Sequence, residues 1–109
     1  MICITVTESD GEYISVESNG HAGYAEEGQD IICAAVSALV INTLNSIERF
    51  TDDETDSVSN KASGTIEFRF HKRPSHDAAL LLDSMILGLE EIEDSSESEA
   101  YIDIIFKEV

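Results

Sequence analysis

Two side chains in the first third of this chain can do chemistry together. His21 sits in Gly20-His21-Ala22-Gly23, and Cys33 sits in Asp30-Ile31-Ile32-Cys33-Ala34-Ala35-Val36-Ser37. An imidazole that meets a thiol gives a base and a nucleophile. The thiolate is the reactive form, so such a cysteine needs its pKa pulled below about 8.5. The start of a helix supplies part of that pull, because its unpaired amides carry roughly half a positive charge. Glu26, Glu27 and Asp30 oppose a thiolate, yet they favour a charged His21. A thiolate–imidazolium pair follows, with the helix holding the anion and the acidic loop holding the cation. The backbone amide of Cys33 is also a candidate oxyanion donor for acyl transfer. The connecting chain reaches at most ~40 Å when extended, and its glycines let it turn back. Ser37 lies one helical turn beyond Cys33 on the same face, placed to anchor the loop or position a ligand, or to bond its own helix backbone. Against this chemistry, a cysteine inside Ile-Ile-Cys-Ala-Ala-Val also reads as a small buried hydrophobe. The residues alone leave both readings open.

The elements that must position these groups follow from periodicity. Ile2 to Thr7 and Glu12 to Ser18 alternate as two strands around Ser9-Asp10-Gly11. Asn19 to Gln29 is a loop holding Gly20, Gly23 and Gly28, longer than the usual ~4–6 residues and so of a functional length. Asp30 reads as the N-cap of the next helix, its carboxylate accepting from the Cys33 amide. Ile32, Val36, Leu39, Val40, Leu44 and Ile47 carry that helix to Phe50, with so few polar positions that burial on more than one side is expected. Asp56 to Asn60 and Thr65 to Phe70 form a hairpin, Ser75 caps a second helix bearing Leu82, Met85, Ile86 and Leu89, and Ala100 to Lys107 is a last strand. The order ββαββαβ implies an α+β two-layer sandwich, two helices on one five-stranded mixed sheet, in a single domain over residues 1–109. The last strand is apolar on both faces, with Tyr101 and Ile105 opposite Ile102, Ile104 and Phe106. A homodimer covers such a strand, and so does a central place in the sheet.

Charge narrows the partners. The chain has 23 Asp and Glu against 6 Lys and Arg, a formal net charge of −17, and nothing basic precedes Arg49. Such a surface repels nucleic acid and anionic membranes and attracts basic partners; it also suits plain solubility. No apolar run is read as long enough for a membrane span, and no export signal is evident. The expectation is a soluble cytoplasmic protein with free thiols. Cys3, alternating with Ile2 and Ile4, is expected in the core. No metal-ligand spacing appears, and no cofactor is called for. His71, in the basic run Arg69-Phe70-His71-Lys72-Arg73, and His76 read as structural or solvated.

The paired blocks Gly20-His21-Ala22-Gly23-Tyr24 and Gly28-Gln29-Asp30-Ile31-Ile32-Cys33-Ala34-Ala35-Val36-Ser37-Ala38-Leu39 resemble the bacterial ribosomal-processing cysteine protease family known as Prp. The likeness covers essentially the whole chain. It implies a homodimeric α+β fold. It implies a protease that removes a short N-terminal extension from ribosomal protein number twenty-seven of the large subunit, cutting after an aromatic residue. It further implies Cys33 as nucleophile, His21 as base, Asp30 and Ser37 as supporting residues, and a substrate loop containing Gly20, Gly23 and Gly28 that orders on binding. A basic ribosomal protein suits an acidic enzyme. The competing function is a non-catalytic acidic protein that binds a ribosomal protein during ribosome assembly.

Overall fold

The structure, a computed structural model, describes residues 2–20, 29–60, 64–95 and 102–109, with only the backbone at 29 and 30. Strands β1 (Ile2–Ser9) and β2 (Glu12–Asn19) lead into helix α1 (Gln29–Phe50). Strands β3 (Thr55–Asn60) and β4 (Thr65–Phe70) then lead into helix α2 (His76–Asp94), and β5 (Ile102–Glu108) closes the chain. The sheet order is β3-β4-β2-β1-β5. The β1–β5 pair is parallel and the other pairs are antiparallel, so the expected five-stranded mixed sheet is present.

The first hairpin closes on Asp10-Gly11, whose φ values of 51° and 79° are both left-handed. That two-residue turn matches the twist of its strands and fixes the register from Ser9↔Glu12 onward. The register slips at Thr7/Glu8, which leaves Ile14 as the bulged residue. Beyond the slip Val6 pairs with Val16, and Val16 with Phe68. Residues paired in this way share one face. Ile2, Ile4, Val6, Val16, Phe68 and Ile102 therefore form a continuous apolar floor, each 3% exposed or less.

Both helices lie on that floor. In α1 the buried positions Ile32, Val36, Val40, Thr43 and Ile47 make a single stripe. The expected burial on more than one side fails, since Ile31 is 72% and Ile41 45% exposed. The 20 residues Ile31–Phe50 are also long and apolar enough, by length and composition, to cross a membrane. This corrects the reading that no such run exists, although here one stripe of the helix packs on a sheet. In α2, Ala78, Leu82, Met85, Ile86 and Leu89 are buried. Ser75 caps the helix as expected, its Oγ accepting from the Ala78 amide at 3.2 Å. The Asp53 carboxylate accepts in turn from the Ser75 amide at 2.7 Å and from the Ser75 hydroxyl. Partial burial pushes the Asp53 carboxyl up, but the Ser75 bonds outweigh it and hold the group below its ordinary range.

One further expectation is corrected and one open alternative is decided. Cys3 is only half-buried and lies outside the core. Its strand neighbours Ile2 and Ile4 face the helices, so the pleat turns Cys3 to the uncovered face, beside Asp103 of β5. The alternative concerns β5, for which the sequence left two places open, and which is an edge strand and not a central one. Its apolar residues therefore stay open: Ile105 is 43% and Phe106 50% exposed.

Candidate active site

Helix α1 starts at Gln29, two residues before the Ile31 start expected behind an Asp30 cap. The backbone of Asp30 thus lies inside the first turn, where the expectation put the cap. The helical ladder also engages the Cys33 amide with the Gln29 carbonyl, so that amide is not a free oxyanion donor. Cys33 itself is a free thiol, half-buried, and packed against the edge of the core.

The thiol opens onto a cavity of about 290 Å³. That volume is close to the lower end of ordinary ligand sites, ~300–1,000 Å³. One wall is α1, which presents Cys33, Val36, Ser37 and Ile41. Cys33 and Ser37 share this wall because residues four apart stack on one helical face. The floor is Ile2 of β1 and Ser18 of β2. The far wall is the β3–β4 hairpin, through Ser59, Asn60, Gly64, Thr65 and Ile66. Gly20 lines the same space with a φ of 94°, a left-handed backbone that suits only glycine without strain. The chain leaves β2 at this point, and it is pinned there: the Thr65 hydroxyl donates to Asn19 Oδ1 at 3.1 Å.

The structure therefore brings together three of the residues read from the sequence, namely Cys33, Ser37 and Gly20. His21, Gly23, Gly28 and the Asp30 side chain lie outside the described residues. The sequence reading missed the hairpin wall. The only local signal was the alternation of Ile66 with Glu67, which says that Ile66 faces the helices but not which part of α1 it meets. The arrangement offers a sulfur nucleophile at the mouth of a mostly apolar slot, in which a substrate side chain can be buried beside the attacking atom. Among the described residues, no group of three or more His, Cys, Asp and Glu side chains is placed to hold a metal ion.

His71 and His76 occupy other places. His71 bridges Asp56 at 2.9 Å and Glu54 at 3.4 Å, and His76 lies 3.3 Å from Asp77. The hydrogen bond and charge of Asp56, reinforced by Glu54, raise the His71 pKa against slight desolvation. Both histidines are exposed and lie beside carboxylates, in line with the structural or solvated role expected of them.

Known proteins share this fold. A family profile described as cysteine protease Prp matches residues 1–103. The ribosomal processing cysteine protease Prp of Bacillus subtilis is 35% identical over 98 residues, which are 85% of this chain and 88% of that protein. Two crystal structures of the essential ribosomal processing protease Prp from S. aureus superpose closely. One is in complex with a substrate peptide (TM-score 0.90, 29% identity) and the other with a covalently linked product peptide (TM-score 0.87, 30% identity). Each match covers 98% of this chain and 100% of the other. With a free thiol at the mouth of a slot and this likeness along its whole length, the chain belongs to the cysteine protease Prp family and is an enzyme of that kind.

Proposed function

We propose that this cysteine protease removes a short N-terminal extension from ribosomal protein number twenty-seven of the large subunit, in the cytoplasm and as a homodimer. Cys33 is the nucleophile and His21 its base. The observation that carries the reading is the joint position of Cys33, Ser37 and Gly20 around one slot, with Gly20 directly preceding His21.

His21 takes the thiol proton, and the Cys33 sulfur attacks the scissile carbonyl carbon. The tetrahedral oxyanion then collapses, the carbon–nitrogen bond breaks, and the His21 proton goes to the leaving amine. Water, deprotonated by His21, hydrolyses the thioester and frees Cys33. Asp30 and Ser37 support the pair, and the segment with Gly20, Gly23 and Gly28 is the substrate loop. Val36, Ile41 and Ile66 make the slot apolar beside the sulfur, which suits an aromatic side chain preceding the cut. The net charge of −17 favours capture of a basic ribosomal protein over direct contact with nucleic acid.

The test is intact mass of the extended ribosomal protein after incubation with wild type, Cys33→Ala and His21→Ala. Wild type shortens it at one bond and both variants leave it whole. Trimming by Cys33→Ala overturns the mechanism. Tight binding of an uncut substrate by wild type favours the non-catalytic binding protein instead.

A further inference from the structure

Strand β5 has one side unpaired. The Val109 amide donates to the Glu8 carbonyl at 2.9 Å, so the odd-numbered residues of this strand direct their backbone groups toward β1. The even-numbered ones direct theirs off the edge. The Ile104 amide is one of these, and it donates to Glu93 Oε2 of α2 at 3.0 Å. An open edge bearing half-exposed Ile105 and Phe106 is a template for another strand.

The side chains select which strand. Asp103, Ile105 and Lys107 share the uncovered face of the sheet, and Ile104 and Phe106 share the helix face. Neither Asp103 nor Lys107 belongs to an ion pair among the described residues, and both are exposed. The run Asp103-Ile104-Ile105-Phe106-Lys107 has opposite charges at equal distances from Ile105. Placed antiparallel to itself about that residue, it sets each Asp103 against the partner's Lys107 and Ile105 against the partner's Ile105. On the other face Ile104 meets the partner's Phe106. That last pair points its backbone groups off the edge, so it can exchange both of its hydrogen bonds. A shift of the register by two residues puts Asp103 or Lys107 against Ile105 and loses both ion pairs. Most of a surface with net charge −17 repels a copy of itself, whereas this strip attracts one.

We propose that β5 pairs antiparallel with β5 of a second copy, centred on Ile105, and joins the two sheets into one. The proposal rests on the homodimer reading above and gives that dimer its surface. Glu93 holds the Ile104 amide in the separate chain, and the partner's Phe106 carbonyl takes it over in the pair.

Sedimentation equilibrium of the full chain tests this, with thermal melts to show that each variant is folded. Wild type sediments as a dimer. Lys107→Glu places a carboxylate against each Asp103, at two symmetric sites, and raises the dimer dissociation constant about tenfold or more. Asp103→Lys does the same with two cations. The double variant Asp103→Lys with Lys107→Glu restores the pairs and returns the constant to near the wild-type value. A wild-type dimer that neither single variant weakens overturns the β5 surface and leaves the homodimer standing. Weakened single variants without recovery in the double variant overturn the register. A wild type that stays monomeric overturns both.

Discussion

Ser59 gives the sharpest test of whether the slot beside Cys33 takes a substrate side chain. It is exposed, lies on β3, and lines the hairpin wall while Cys33 lines the helix wall. Ser59→Phe puts a ring into a space of about 290 Å³, room for roughly ten waters at ~30 Å³ each. The fold has little to lose, because Ser59 makes no core contact and aromatic residues favour strands. Substrate has more to lose. If the slot buries one apolar side chain, closing it forfeits about 1.5–3 kcal/mol. At 1.36 kcal/mol per tenfold, that lowers kcat/KM roughly 13- to 160-fold. The assay is cleavage of the extended ribosomal protein, with alkylation of Cys33 by a small thiol reagent as control. An alkylation rate within about threefold of wild type shows that the sulfur is still reachable, so that a loss of cleavage reports the filled slot. A folded Ser59→Phe enzyme that cleaves within twofold of wild type refutes the assignment of this slot.

Two further outcomes follow from the ionic and capping contacts. His71 has a folded pKa above its ordinary 6.5 because of Asp56 and Glu54; its contribution is therefore fully present below pH 6.5 and is lost as pH rises through the folded value. Urea melts should show wild type losing more stability than His71→Gln between pH 6 and pH 9, and equal losses discount the bridge. Ser75→Ala removes a helix cap worth about 1 kcal/mol and lowers Tm by roughly 4 °C, with cleavage unchanged within twofold; an unaltered Tm shows that the Asp53–Ser75 contacts carry no net stability.

Local chemistry was legible wherever one residue type decides the geometry. Ser9-Asp10-Gly11 announces a turn, although Ser9 itself stays in β1 opposite Glu12 and only Asp10 and Gly11 turn, both at positive φ. Ser75 announces a helix start because a hydroxyl can take the Ala78 amide. Cys33 and Ser37 could be placed on one face from helical pitch alone. Failures came where the answer depends on what lies across from a residue. Cys3 alternates with two buried isoleucines, and the pleat assigns it to the other face; whether that face is covered is not written in β1. Helix α1 is apolar nearly all round, a pattern shared by a helix buried on every side and by one that packs on a single stripe. The far wall of the active-site slot belongs to a hairpin distant in sequence, so no local period points to it.

The last strand shows the same limit and also how it is overcome. An apolar pattern on both faces fits either a central strand or an edge that associates, and sequence periodicity is identical in the two cases. The parallel pairing of β5 with β1 and the absence of any strand of this chain beyond it, among the described residues, remove the first option. An edge left without a partner in an acidic protein must either be blunted by charge or be used. Glu93 blunts it at a single amide, while Ile105 and Phe106 remain open. The strand is therefore an open apolar edge closed by a carboxylate at one amide, and its periodicity alone shows only the apolar part.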